Sequence, residues 1–307
     1  MAFLRRLKPI LSTTILAMVV LLPSMLSQST SLAVPTSGGG LAVGSQYDTT
    51  HVYVAPADLT AFVNSFTATF GGHTSKMIVS NVLPEASSTA FQYVWTPSGN
   101  LSVFAFTTPI PYPFGLERTG LLVTNLPEAV KAARASGAEV VVEPFKDPIG
   151  LDAVVQWDGG VKTQLYWHTT APNYEQLEYV PENRVYISPD RADQFARQFV
   201  TFSRGTVVAD EKSSDGAEIG RPGTTYRRIR IESKFGKLTI LVSDGHLPYP
   251  FGRELTGYEV KDLDSTTAKA KAAGANVLWG PYISGDRAEE ILQFPGGYIA
   301  EVHALKK

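Results

Sequence analysis

Pro111-Tyr112-Pro113-Phe114-Gly115 recurs as Pro248-Tyr249-Pro250-Phe251-Gly252, and the two segments stay in step at one gap-free offset as far as Leu165 and Val302. Thr119-Gly120 matches Thr256-Gly257, Gly137-Ala138 matches Gly274-Ala275, Pro144 matches Pro281, and Gly159-Gly160 matches Gly296-Gly297. A repeat of this length without an insertion implies two similarly folded units. The chain of 307 residues has room for two compact domains, and the expectation is that each has its own core.

A net charge of −2, with 44% hydrophobic and 18% charged residues, lacks the basic excess of a nucleic-acid binder. Arg227, Arg228 and Arg230 form the one dense basic cluster. They alternate with Tyr226, Ile229 and Ile231, which reads as a solvated strand face rather than an anion site.

Arg5, Arg6 and Lys8, the apolar run Ile15 to Met25 broken at Pro23, and the small-x-small site Ser31-Leu32-Ala33 make residues 1–33 a signal peptide. The product is therefore expected to be exported, periplasmic or extracellular. The apolar run is short and broken for a span of about 20 residues, so no stable membrane insertion is expected after cleavage. With no cysteine there is neither a lipid attachment nor a disulfide, and stability must come from hydrophobic packing.

Gly- and Ser-rich residues 34–46 read as a flexible leader, and structure is expected from Tyr47. His51 to Val54 alternates like a strand. Leu59, Phe62, Val63 and Phe66 have helical spacing, ended by Gly71-Gly72. Strand-like runs follow at 77–82, 91–95 and 101–106, the last two separated by the turn Pro97-Ser98-Gly99-Asn100. The order repeats as a strand at 120–123, a helix at 126–135 stopped by Gly137, and strands near 139–142, 153–157 and 161–167. The second half starts with a strand at 183–187 and a helix near 191–202. The expected domains are thus 47–170 and 183–307, joined by a linker, 171–182, whose Leu177, Tyr179 and Glu residues suit packing against a domain better than a loose tether does.

Paired strand-helix-three-strand units, each pair ending in Gly-Gly and an alternating strand, resemble the vicinal oxygen chelate superfamily of glyoxalases, bleomycin-resistance proteins and extradiol dioxygenases. The likeness spans about Tyr47 to His303. It is strongest in Val123-Thr124-Asn125-Leu126-Pro127-Glu128-Ala129 with Gly137-Ala138-Glu139-Val140, and in Val260-Lys261-Asp262-Leu263-Asp264 with Gly274-Ala275-Asn276-Val277. The closing strands Asp158 to Leu165 and Pro295 to Val302 also follow the family's pattern. The resemblance implies an α+β fold of two tandem glyoxalase-like domains, each built from two βαβββ units that form a cupped mixed sheet. Its members place His, Gln or Glu on the first strand of each unit and the last strand of the pair, where they hold a divalent metal with open positions for substrate oxygens.

Those positions fall on His51, Arg118 and Gln164 in the first half and on Arg184, Leu255 and Glu301 in the second. Neither set is complete, because a guanidinium has no acceptor and leucine no ligand atom. His51, Gln164 and Glu301 remain weak metal candidates. Arg184 and Glu301 are expected to meet as an ion pair with the guanidinium in the metal's place, one that costs on the order of 3 to 5 kcal/mol to break from one side. Arg184 also suits an anionic ligand.

Period-two alternation puts His51 and Tyr53 on one face of the first strand and Gln164, Tyr166 and His168 on one face of the last. Arg184 with Tyr186, and Glu301 with His303, do the same in the second half. These residues are the candidate pocket lining, with Arg118 beside them. Asp244 and His246 join Glu301 and His303 only if their loop folds inward. In the repeated Pro-Tyr-Pro-Phe-Gly, a stiff crossover, Tyr112 and Tyr249 are candidate lids over the cups. No G-x-S-x-G elbow or phosphate-binding loop is present. The leading expectation is an exported binder of a small molecule with degenerate metal sites. The competing classes are a divalent-metal-dependent lyase or ring-cleaving dioxygenase using the first cup, and a structural or interaction module.

Overall fold

A computed structural model describes residues 40–305; the signal peptide and residues 34–39 of the leader lie outside the described residues. The first unit is β1 (Thr49–Tyr53), α1 (Leu59–Phe70), β2 (His73–Thr74), β3 (Ile78–Ser80), β4 (Thr89–Thr96) and β5 (Gly99–Phe106). The second is β6 (Thr119–Leu122), α2 (Leu126–Ala135), β7 (Glu139–Asp147), β8 (Gly150–Gln156) and β9 (Lys162–His168). The second half repeats the order with β10 (Glu182–Ile187), α3 (Ala192–Ser203), β11 (Thr206–Asp215), β12 (Thr225–Ser233) and β13 (Gly236–Val242). It closes with β14 (Leu255–Glu259), α4 (Leu263–Ala272), β15 (Asn276–Ser284), β16 (Arg287–Gln293) and β17 (Ile299–Leu305).

Local chemistry explains the boundaries. α1 buries Leu59, Phe62, Val63 and Phe66, the residues whose spacing predicts it, and stops where Gly71 takes a φ of 80°. α2 starts where the Asn125 side chain accepts from the Glu128 N–H at 3.0 Å, and α4 where Asp262 accepts from Ser265 at 2.9 Å. The β4–β5 turn is tied by Thr96, whose hydroxyl donates to the Gly99 carbonyl at 2.7 Å.

In each unit the first strand runs parallel to the last, and the two first strands of a half pair antiparallel, β1 with β6 and β10 with β14. The sheet orders are β2-β4-β5-β1-β6-β9-β8-β7, with β3 also on β4, and β11-β12-β13-β10-β14-β17-β16-β15. The first and last strands of both units are therefore central in each sheet. Alternation turns one face of these strands into the cup and the other, such as Val52 and Val103, towards the helices.

The halves do not have separate cores. One cluster joins Val52, Phe62, Phe66 and Leu101 of the first unit to Tyr258, Leu263, Leu292 and Phe294 of the fourth. The other joins Leu126, Val130, Trp157 and Leu165 of the second unit to Val185, Phe195, Phe202 and Ile240 of the third. A single helix per unit leaves apolar sheet face uncovered, and the other half's helix completes the layer. Polar clamps fix this packing. Gln198 on α3 donates to the Gly137 carbonyl and accepts from the Asp158 N–H, both at 2.9 Å, and Ser98 donates to the Glu259 carbonyl at 2.7 Å.

Two boundary expectations change. Residues 41–43 are not a loose leader: the Val43 N–H donates to the Leu122 carbonyl at 3.1 Å, the Thr124 N–H to that of Leu41 at 2.8 Å, and Ala42 is buried. They use backbone groups at the end of β6 that would otherwise lack partners. The linker is docked too, with the Glu178 and Tyr179 N–H groups on the Pro97 carbonyl and Leu177 buried, while Glu182 already belongs to β10. Among the described residues no helix is long and apolar enough to cross a membrane.

Candidate functional site

The first cup brings together Thr49, His51 and Tyr53 from β1, Ser102, Phe104 and Phe106 from β5, Asp152 from β8, and Gln164, Tyr166 and His168 from β9. Five of the predicted pocket residues therefore share one cavity, of about 120 Å³. Its walls are aromatic. Tyr53 stacks on Phe104 with ring centres 5.3 Å apart, and His51 meets Phe104 edge-on at 5.3 Å. Phe91, Tyr93 and Phe114 extend this lining, and the partly exposed Ile78 and Ile149 form its outer rim.

The polar groups of this cup are buried and under-satisfied. His51 Nδ1 makes no hydrogen bond and lies 3.7 Å from Glu117, whose side chain is fully buried. The Tyr53 hydroxyl donates to Glu117 Oε1, and Oε2 is left without a partner. Burial pushes the Asp152 carboxyl well above the usual range, and the nearby Asp147 adds to this against the hydrogen bond from Gln164. Asp147 itself is raised by burial, and burial lowers His168. This cup favours neutral groups.

The repeated Thr-Gly pair has a role here that the sequence reading gave only to the scaffold. A Cβ at Gly120 would fall 2.5 Å from His51 Nε2 and 2.9 Å from the Tyr166 ring, so only glycine on β6 lets both rings lie across the cup floor. At Gly257 the corresponding atom would fall 2.5 Å from Glu301 Oε2.

The second cup is filled by charge. Arg184 lies 3.4 Å from Glu182, 3.6 Å from Glu289 and 3.9 Å from Glu301, so the expected Arg184–Glu301 contact exists as the longest of three. Arg287 is the tighter partner, at 3.0 Å from Glu182, 3.0 Å from Glu289 and 2.9 Å from Glu301, and it also reaches His303 Nδ1 at 3.1 Å. His303 Nδ1 is 2.9 Å from Glu301. Burial alone would raise Glu182 and Glu301, but the two arginines and His303 outweigh it and hold both below the carboxylate range. Glu289 goes the other way, raised by burial and by Glu301 against the pull of Arg184. Tyr186 packs beside this network against Ile219 and Leu241, and burial pushes its hydroxyl up to about 12.

Arg287, Glu289 and Glu182 were not singled out by the sequence reading. The repeat register carried a signal for one of them, since Glu289 matches Asp152, an acid in an apolar run in both copies. Glu182 was assigned to the linker, and nothing in the pattern marked Arg287.

Three other expectations are corrected. Arg118 does not line the first cup; its guanidinium lies 5.9 Å from the centre of the Tyr53 ring, on the seam between the halves. Tyr112 and Tyr249 are not lids: they are 68% and 60% exposed, under Lys162 and Arg253 respectively, while Phe114 and Phe251 turn inward. Asp244 stays in its exposed loop, paired with Arg221 at 2.8 Å. The basic cluster behaves as a paired strand face, with Arg227, Arg228 and Arg230 on Asp210 and Glu211 of β11.

Among the described residues no three His, Asp or Glu side chains converge in a way that could hold a metal ion. Gln164 is taken by Asp152, Glu301 by Arg287 and His303, and Arg184 puts a cation where the ion would sit.

No family model matches the chain, and no curated protein matches it by sequence. Solved structures do match in fold. A variant of 4-hydroxymandelate synthase from Streptomyces coelicolor aligns with a TM-score of 0.58 and 11% identity over 86% of this chain and 93% of its own. The Mn(II)-bound glyoxalase from Novosphingobium aromaticivorans aligns at 0.54 and 13%, over 87% and 83%. A variant of homoprotocatechuate 2,3-dioxygenase from Brevibacterium fuscum aligns at 0.54 and 15%, over 89% and 75%. At these identities the likeness speaks for the fold alone: two tandem glyoxalase-like domains made of four strand-helix-strand units in two cupped sheets.

Proposed function

We propose that this protein binds a small, ring-bearing, uncharged molecule in the first cup, acts outside the cytoplasm after removal of residues 1–33, and does so without a metal. The observation that carries this reading is the contrast between the cups. The first leaves about 120 Å³ free between aromatic walls, and the second fills the same place with Arg184 and Arg287 on three glutamates. A dry cavity of about 150 Å³ takes up benzene, so a single ring is the right scale for the first cup. Stacking on Phe104 and Tyr53 would hold such a ring, and a neutral Asp152 would offer an O–H to a carbonyl or phenol oxygen. On this reading the first half carries a ligand cup and the second a structural ion network.

Fluorescence titration of the purified protein with monocyclic phenols tests this. Saturable binding is expected, weakened at least tenfold by Ser102→Phe, which places a ring in the cavity, and unaffected by chelator. Binding that appears only after Mn²⁺ or Fe²⁺ is added would overturn the metal-free reading and favour the lyase or dioxygenase alternative.

A further inference from the structure

A second cavity, of about 300 Å³, lies on the seam between the halves. Tyr53 is the wall it shares with the first cup; the rest comes from Thr50 and the 116–118 segment on one side and the 253–256 and 296–299 segments on the other. Thr50 and Thr256 meet there with hydroxyls 3.3 Å apart.

Two guanidiniums line this cavity without a close ion pair to a described residue. Arg118 rests over Tyr53 and Arg253 over Tyr249, and neither makes an ion pair or a hydrogen bond to a described residue. Arg184, Arg221, Arg227, Arg228 and Arg287 all have carboxylate partners. Glu254 lines the same cavity, and its Oε1 is shut off from solvent and lacks a hydrogen-bond partner. Burial pushes this carboxyl up to about 7, against the pull of Asn183 and Arg118; Glu117 and Lys162 are the other charges that reach it. When protonated it adds an O–H donor to the two cationic forks. Leu116, Leu255 and Ile299 supply apolar wall in the same space. Guanidinium forks suit the two oxygens of a carboxylate, and the apolar wall suits a short hydrocarbon body behind them.

We infer that the seam cavity is a binding site for a small organic carboxylate, gripped by Arg118 and Arg253 with its hydrocarbon part against Leu255 and Ile299. An ionised Glu254 places a negative charge beside the bound carboxylate, so affinity falls as pH rises through about 7.

Calorimetric titration of the full chain with isobutyrate and with sulfate, at pH 6 and pH 8, tests the site. Saturable isobutyrate binding is expected at pH 6, weaker at pH 8 by at least threefold. Arg118→Gln and Arg253→Gln each weaken it at least tenfold; Arg253 is exposed and makes no hydrogen bond, so its variant keeps the fold. Glu254→Gln removes the pH dependence, and Ser102→Phe in the first cup leaves binding unchanged. The site assignment fails if isobutyrate gives no saturable heat, if both arginine variants bind like the wild type, or if Ser102→Phe abolishes binding, which would place the ligand in the first cup. Sulfate binding as tight as isobutyrate would overturn the organic-carboxylate assignment.

Discussion

Asp152 and Glu289 stand at the same register of the repeat, each a buried acid on the strand before the last. Their surroundings differ. Glu289 faces Arg184 and Arg287, whereas Asp152 has Gln164 and another carboxyl, Asp147, for company. Because the folded state raises the Asp152 value, the wild type is most stable with this group protonated. It loses stability as pH rises above the ordinary carboxyl value of about 3.9 towards the raised one. Asp152→Asn cannot ionise, so its stability relative to the wild type is expected to improve steadily from about pH 4 upward. Denaturant midpoints at pH 4.5, 6 and 8 check this, and a pH-independent difference would remove the neutral-acid argument. At this scale the cup-facing residues of β1 and β9 were legible, because alternation alone assigns a face. Arg287 was not: it is the first residue of β16, directly after a turn, and of its partners Glu182 is more than a hundred positions away and Glu301 lies on another strand.

The elements were the most legible layer, since each is decided within its own segment. α1 and α2 span the residues that periodicity and the following glycines define, and the equivalent caps Asn125 and Asp262 begin two helices in the same way. Removing either cap orphans an N–H in the first turn. Asn125→Ala and Asp262→Ala are each expected to cost about 1 kcal/mol, read from chemical denaturation. A much smaller loss in both would show that tertiary packing alone sets these helix starts. The run 77–82 is where local reading fell short. A strand was expected over the whole run, and only Ile78–Ser80 of it forms one, β3, with the two-residue β2 at His73–Thr74 before it. The Ser75 hydroxyl accepts from the Tyr93 N–H at 3.0 Å, which takes a ladder group of β4 and interrupts regular pairing there.

At the scale of the whole molecule, the repeat correctly indicates two copies but misleads about their independence. A 3.6-residue period marks which face of a helix is buried and says nothing about what covers it, so the cross-wise sharing of two cores was out of reach. The consequence is cooperative. Phe66 lies in the first half yet packs against Tyr258 and Phe294 of the second. Phe66→Ala is therefore expected to cost roughly 3–5 kcal/mol and to lower one common unfolding transition. Tryptophan fluorescence, which reports Trp95, Trp157 and Trp167 in the first half and Trp279 in the second, and far-UV circular dichroism should give coincident curves; two resolved transitions would contradict the shared cores. The same packing also constrains how the proposed ligand would get in and out. Swinging the halves apart about residues 171–181 would wet Phe62, Phe66, Phe195 and Phe202 at once, so that segment cannot serve as a hinge. If the first cup binds a ring as proposed, exchange would be left to its rim, around Ile78–Val82 and Pro148–Ile149, and the residence time would be set by how fast those few residues give way.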